Sequence, residues 1–410
     1  MKKVLFISCF FPPIQSIEST MALNAAKYLA CFGWQPTVIA AEKAGALKIN
    51  NDLLGLVPRD LQVIRTNVAE NFFLRGLSSL KLTPDAEFGW LPFAVREAKK
   101  VIAKEKFDAI ISRANPITSH LTAIYLNRSL GLPVMGLFGD PWTENPYINF
   151  RHPLIKKLNE VVERFIFRKL AKLVFTTEQT KAIILNKYKN LPREKVMVFP
   201  NTYDPEEFQE FVGAKLPKNK KFIITHAGSF YGLRSPEPFF KAMKALFESH
   251  EDWRDKIEIR LFGPLNEFEP LISSYGLTSN VVFNRMIPRK EAIKELFIAD
   301  LLFLVDAPSE KESIFLPGKL VDYLVTKKPI LAVTPERGAS ADVVRLTKTG
   351  SVVVPENIEG IKKEIEYYFK AYQESKSVYR SDEKMIEQFS AVNFGRFLAE
   401  TLDGLLNKNV

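Results

Sequence analysis

Several short stretches of this 410-residue chain set glycine, cations and carboxylates in patterns suited to phosphate and hydroxyl groups. In Pro317-Gly318-Lys319-Leu320-Val321-Asp322, the spacing predicts an extended loop over 313–318, a helix over 319–325 and a buried strand over 329–333. A helix N-terminus presents unpaired backbone N–H groups and a partial positive charge, so it attracts anions. Gly318 lets a phosphate come close to the backbone, and Lys319 adds a full charge. Asp322, one turn further on, can accept hydrogen bonds from two hydroxyls, as on a ribose. Together these groups describe a nucleotide site, although an ordinary βα unit with a surface Lys and Asp fits the same residues. A second constellation follows the predicted strand 222–227, where Gly228 stands at the strand end and Arg234 lies just before the helix that Pro236 begins. A third is Gly139-Asp140-Pro141-Trp142, after the predicted strand 133–138. Ligands of open α/β sheets sit outside the carboxyl ends of the strands, which makes Asp140 a candidate for a reaction centre. An Asp capping a local turn through Thr143 is the alternative.

The elements that position these residues alternate along nearly the whole chain. Strands are expected over 4–8, 37–40, 108–112, 173–176 and 196–199, then over 257–262, 281–283 and 301–305, with helices between them. This pattern predicts an α/β protein of two doubly wound domains. The first helix is placed over 20–31, with Ser19 or Thr20 as its cap. Residues 43–95 read as irregular and rich in Phe and Leu (Phe72, Phe73, Leu74, Leu77, Leu80, Leu82), interleaved with Arg75 and Lys81. They suit either a buried insert or contact with an acceptor or membrane. A basic amphipathic helix is expected over 151–172. Its apolar positions fit packing with a solvated charged face, or docking on anionic lipid head groups.

Composition narrows the class. Hydrophobic content of 46% and charged content of 25% are those of a globular protein, and no apolar run is long enough to span a bilayer. Lys2-Lys3 followed by VLFISCFF imitates a signal peptide, but Pro12-Pro13 and the lack of a small-residue cleavage site favour a first buried strand. Cys9 and Cys31 offer no disulfide or metal framework and suit a reducing cytoplasm. The net charge of +10 favours anionic partners, but the cations are dispersed and no nucleic-acid-binding motif is present.

The stretch around Lys319 resembles the nucleotide-sugar loop of retaining glycosyltransferases of family 4 (glycosyltransferase group 1), many of which carry Pro-Ser-Lys-Leu-Tyr-Glu-Tyr-Leu-Ala-x-Gly-Lys-Pro there. Pro317 to Leu324 and Lys328-Pro329 match this pattern, with Gly318 for Ser and Asp322 for the acidic residue that holds the donor ribose. The family's earlier Glu position is Ile314. Near Gly228 the family has Gly-Arg and a later Lys; Ser229 replaces the Arg, and Arg234 stands at the Lys position. Pro12-Pro13 match the family's opening Phe-Pro-Pro, but Gln15, Ser16 and Ile17 stand where a Gly-rich loop touches donor or acceptor. Asp140 matches the Asp of a branch carrying Arg-Asp-Pro-Trp, and Gly139 replaces its Arg. Pro200-Asn201-Thr202-Tyr203-Asp204 resembles the Pro-Asn-Gly-x-Asp between the family's domains.

The resemblance implies a GT-B fold, with two Rossmann-like domains facing across a cleft. They are an acceptor domain over 1–203 and a donor domain over 204–384, with a helix over 385–410 returning to the first. It implies transfer of a sugar from a nucleotide-sugar donor to a saccharide acceptor, with retention; the basic helix over 151–172 and the Phe/Leu-rich insert near 72–82 point to a lipid-linked saccharide acceptor in surface-polysaccharide assembly. The donor would be bound by Gly228, Arg234, Pro317, Gly318, Lys319, Leu320 and Asp322, and Asp140 would act at the reaction centre. No Asp-x-Asp motif is present, so no metal or other cofactor is expected, and Lys319, Arg234 and helix N-termini would stabilise the leaving diphosphate. The location expected is cytoplasmic, peripheral on the inner face of an anionic membrane. A non-catalytic nucleotide-sugar-binding or scaffold subunit is the alternative that Ser229, Ile314 and the glycine-free first loop suggest.

Overall fold

The apolar run that opens the chain is strand β1 (Lys2–Ile7), buried from Val4 on. It lies in the middle of a parallel sheet with β2 (Trp34–Ala41), β3 (Gln62–Thr66), β4 (Ala109–Arg113), β5 (Val134–Leu137), β6 (Lys172–Phe175) and β7 (Val196–Val198), in the order β3-β2-β1-β4-β5-β6-β7. The computed structural model describes residues 1–43, 45, 47–69, 72–217, 219–306 and 312–407. The chain divides into one unit of Met1–Thr202 with Ala391–Val410 and a second of Tyr203–Ser390.

The alternation of Leu5 and Ile7 with Val4 and Phe6 sends side chains to opposite faces of the first sheet, and each face has its own apolar core. Helices Ile17–Leu29 and Ala391–Asn407 cover one face, contributing Ala22, Ala26, Phe394 and Leu398. Strand order reverses between β1 and β4, so the carboxyl ends of these strands are the place for a ligand.

Three expectations are corrected. The first helix starts at Ile17, and its cap is Ser16: its backbone is extended and its Oγ accepts from Ser19 N at 3.1 Å. Ser19 and Thr20 therefore lie inside the first turn. Exposed Ile17 breaks the apolar pattern that would have marked this start. Residues 43–95 are not irregular throughout, for they contain β3 and helices Phe72–Ser79 and Leu91–Ile102. Buried Trp90, with Nε1 donating to Thr66 Oγ1 at 2.6 Å, ties this segment to the end of β3. The side chains of Phe72, Phe73 and Arg75 lie outside the described part. Third, the basic helix is Pro153–Lys169, and it does not turn all its apolar residues inward.

The second unit repeats the plan with β8 (Phe222–Ala227), β9 (Ile257–Phe262), β10 (Val281–Asn284), β11 (Leu301–Val305), β12 (Ile330–Val333) and β13 (Gly350–Val353). All pairs are parallel, in the order β10-β9-β8-β11-β12-β13, and order reverses between β8 and β11.

Closure of the first unit by its last helix depends on one small residue. A Cβ at Gly395 would stand 2.6 Å from the backbone C and O of Tyr28. Gly395→Ala is expected to force the two helices apart and to cost about 1–3 kcal/mol, the usual cost of overpacking. Thermal unfolding checks this, and an unchanged Tm would mean that the helices do not pack this closely.

Candidate functional site

In the second unit, the carboxyl ends of β8 and β11 bring together residues far apart in the chain. Gly228, just past β8, has φ +135°, and a Cβ there would meet Lys319 Cε and Nζ at 2.5 Å. Glycine is thus what leaves room for the ammonium beside the strand end. Lys319 Nζ donates to His226 Nε2 at 3.0 Å. The imidazole can accept because its Nδ1–H donates to the Phe303 carbonyl at 2.8 Å, and burial holds its pKa well below the ordinary value, so the ring is neutral. Asp306, fully buried after β11, accepts from Ser313 Oγ and Ser340 Oγ, both at 2.7 Å, and pairs with Arg234 Nη2 at 3.6 Å. The Arg234 guanidinium lies over the Tyr231 ring at 5.2 Å, and its Nε is buried with no hydrogen-bond partner among the described residues. Burial first, and then the charge of Arg234, push Lys319 down to about 7. Two cations are thus held within each other's field beside one buried carboxylate, at the N-terminus of helix Gly318–Val325. An added anion relieves that repulsion.

The remaining predicted donor residues fall along the same helix. Pro317 is its N-cap residue and Gly318 its first residue. Leu320 is fully buried, packed in the same apolar cluster as Leu302 and Leu304, so it can offer a ligand only its backbone. Asp322 is buried and paired bidentately: Arg289 Nη1 donates to Oδ2 at 2.6 Å and Nη2 to Oδ1 at 2.8 Å. Arg289 also donates to Glu207 at 3.1 and 3.3 Å. Each Asp322 oxygen keeps a further acceptor direction.

In the first unit, Asp140 is exposed in the turn after β5. Thr143, on which the turn-capping alternative relies, donates from N and Oγ1 to Glu163 at 3.1 and 2.6 Å. Ser16 caps helix Ile17–Leu29 and Ile17 is exposed, so the pair forms a helix start. Glu18, which follows them, pairs with Arg113 of β4 at 2.7 Å. Burial raises the Glu18 pKa against the opposing pull of Arg113. A Cβ at Gly139 would lie 2.6 Å from Glu18 Oε1, so this carboxylate fills the space that a side chain at 139 would need. A side chain at 139, such as the Arg of the Arg-Asp-Pro-Trp branch, would have to displace Glu18 from its pair with Arg113 of the neighbouring strand. Behind it, buried His120 is pushed down to about 3 and pairs through Nδ1 with Ser112 Oγ at 2.7 Å.

Gly228, Arg234 and Lys319 therefore converge, Asp322 lies a turn away on the same helix, and Asp140 belongs to the other unit. The reading of the sequence missed His226, Asp306, Arg289, Glu18 and Arg113. Asp306 carried the signal already used for Asp140, a carboxylate at the end of an apolar strand, and Arg113 stands likewise at the end of β4.

Comparison with known proteins agrees with this fold. Residues 19–207 match the model of Glycosyltransferase Family 4. No curated protein sequence matches the chain. Among solved structures, a glycosyltransferase from Rickettsia africae is similar over 99% of this chain and 98% of its own, with a TM-score of 0.67 and 15% identity. A sucrose-phosphate synthase from Thermosynechococcus elongatus is similar over 100% of both chains, with a TM-score of 0.66 and 12% identity. The lipopolysaccharide outer core galactosyltransferase WaaB is also similar over 100% of both, with a TM-score of 0.60 and 11% identity. At these identities the likeness is one of fold.

The Lys319 environment sets the pH dependence of anion binding. Its charged form is the binding form, and in the free protein that form is lost as pH rises through about 7. Affinity for a nucleoside diphosphate should therefore fall by up to about tenfold per pH unit between about pH 7 and about pH 9, because binding takes up a proton. In Lys319→Arg, whose side chain stays charged, the slope should flatten. Calorimetric titration checks both, and a flat profile in the unsubstituted protein would contradict the assignment.

Proposed function

We propose that this chain, whose residues 19–207 match the model of Glycosyltransferase Family 4 and whose two parallel sheets form the GT-B fold, transfers a sugar from a nucleotide-sugar donor to an acceptor. The second unit binds a nucleotide-sugar, and the first unit binds a saccharide or lipid-linked saccharide acceptor. The observation that carries this reading is the pair of cations, Lys319 and Arg234, held at a helix N-terminus beside Gly228.

In the reaction the bond between the anomeric carbon and the diphosphate oxygen breaks, and negative charge grows on the diphosphate. Lys319, Arg234 and the N–H groups opening helix Gly318–Val325 face that charge and stabilise it, the role that a divalent ion plays elsewhere. Asp322, oriented by Arg289, accepts from the ribose hydroxyls. The acceptor oxygen then bonds to the anomeric carbon with retention of configuration, as the family resemblance implies. Asp140 takes or orients the acceptor's hydroxyl proton. The lipopolysaccharide outer core galactosyltransferase among the structural relatives supports an acceptor in surface-polysaccharide assembly.

Lys319→Ala is expected to weaken nucleoside diphosphate binding by about 1.5–3 kcal/mol, the range for hydrogen bonds to charged groups. Unchanged affinity by titration would remove this residue from the site. Asp322→Asn should weaken nucleotide binding and, because it also breaks the Arg289 pair, lower the unfolding temperature of the free protein. A stability loss with intact binding would make Asp322 purely structural. Asp140→Asn should lower turnover about 10²-fold while nucleotide affinity stays; full turnover in a transfer assay would exclude it from the reaction centre.

A further inference from the structure

We propose that helix Pro153–Lys169, with the turn at 80–82, is a membrane-docking ridge for an anionic bilayer, and that a basic cavity beside it receives a lipid phosphate. The helix is amphipathic in reverse. Leu154, Leu158, Val161 and Phe165 are 69%, 50%, 55% and 38% exposed, and their spacing sets them in one outward row. Lys157, Arg164 and Arg168 flank that row and are exposed. Both acidic residues of the helix turn the other way: Glu160 pairs with Lys187 at 3.0 Å, and buried Glu163 holds Thr143 and the Tyr188 hydroxyl.

The inward face also brings in a second apolar element. Asn159 Nδ2 donates to the Lys81 carbonyl at 3.0 Å, which sets the turn carrying Leu80 and Leu82, each 45% exposed, against the helix. A cavity of about 310 Å³ opens next to the row, lined by Arg164, Arg168, Lys189, Tyr188 and Leu191. Among the described residues, Arg164, Arg168 and Lys157 have no acidic partner within ion-pairing distance.

A contiguous apolar row on an otherwise polar surface marks a contact site. Its chemistry selects the occupant. Apolar residues at the crest and long cations at the flanks, with no carboxylate on the outward face, match acyl chains below a layer of phosphates, where Lys and Arg stems extend towards the head groups. No helix of the described residues is long and apolar enough to cross a membrane, so attachment through this ridge is peripheral. The proposal names a partner of the first unit in the reading above but rests on this surface alone.

Sedimentation with vesicles tests it, using phosphatidylglycerol–phosphatidylcholine mixtures against pure phosphatidylcholine at low and high salt. The full chain should pellet with the anionic vesicles and be released by salt. Leu158→Asp with Phe165→Asp should abolish pelleting, and Arg164→Gln with Arg168→Gln should weaken it about 25-fold, or about fivefold per cation, equivalent to ~1 kcal/mol each. Thermal unfolding of the same variants shows that they are folded, and nucleoside diphosphate titration keeps failure of this proposal distinct from failure of the transferase reading. The ridge proposal is overturned if the chain pellets with neither lipid or with both alike, or if folded variants bind as the original does. It is also overturned if size exclusion shows a dimer that the Asp substitutions dissociate, since a second copy would then cover the ridge.

Discussion

A carboxylate with no solvent contact holds the second unit's anion site in shape. Removing an ion from water costs several kcal/mol unless partners replace the lost hydration, and Asp306 is fully buried. Partners reach it from three separate segments: Ser313 before helix Gly318–Val325, Ser340 in helix Ala339–Thr347, and Arg234 after β8. Satisfying one buried charge therefore fixes the loop that leads to the phosphate-binding helix and aims a guanidinium at the same strand ends. Lys319 and His226 complete the arrangement, the imidazole accepting from the ammonium because its other nitrogen is committed to a backbone carbonyl.

The first unit applies the same constraint at its own point of strand reversal. Arg113 ends β4, and Glu18 lies in the first turn of helix Ile17–Leu29; their pair is largely buried. The space used by the Glu18 carboxylate is the space that Gly139 leaves empty, so the glycine at 139 and the buried ion pair belong to one packing arrangement. Asp140 follows directly, exposed where a ligand can reach it.

What could be read from the sequence follows from how local each signal is. Parallel strands buried on both faces appear as continuous apolar runs, so most strands of the two sheets were legible; β3 and β13, at the sheet edges and only partly buried, were not. Gly228, Arg234, Gly318 and Lys319 were legible because glycine and cations beside a helix start form a pattern within a few residues. The pair of Asp322 with Arg289 spans 33 residues, and nothing near Asp322 announces it. Glu18 was hidden because its partner, Arg113, lies far along the chain at the end of another strand. Helical spacing alone cannot say which way a stripe faces. On helix Pro153–Lys169 it grouped Val162 and Ile166, which turn inward, with Leu154, Leu158, Val161 and Phe165, which do not.

The claim on which the account turns is that Lys319 and Arg234 jointly hold a diphosphate. A crystal structure of the chain with a bound nucleoside diphosphate tests it most directly. The account predicts phosphate oxygens within hydrogen-bonding distance of Lys319 Nζ, of the Arg234 guanidinium and of the backbone N–H groups at the start of helix Gly318–Val325, with Asp306 still buried behind them. A nucleotide bound with its phosphates away from these groups, and Lys319 still paired only with His226, would contradict it.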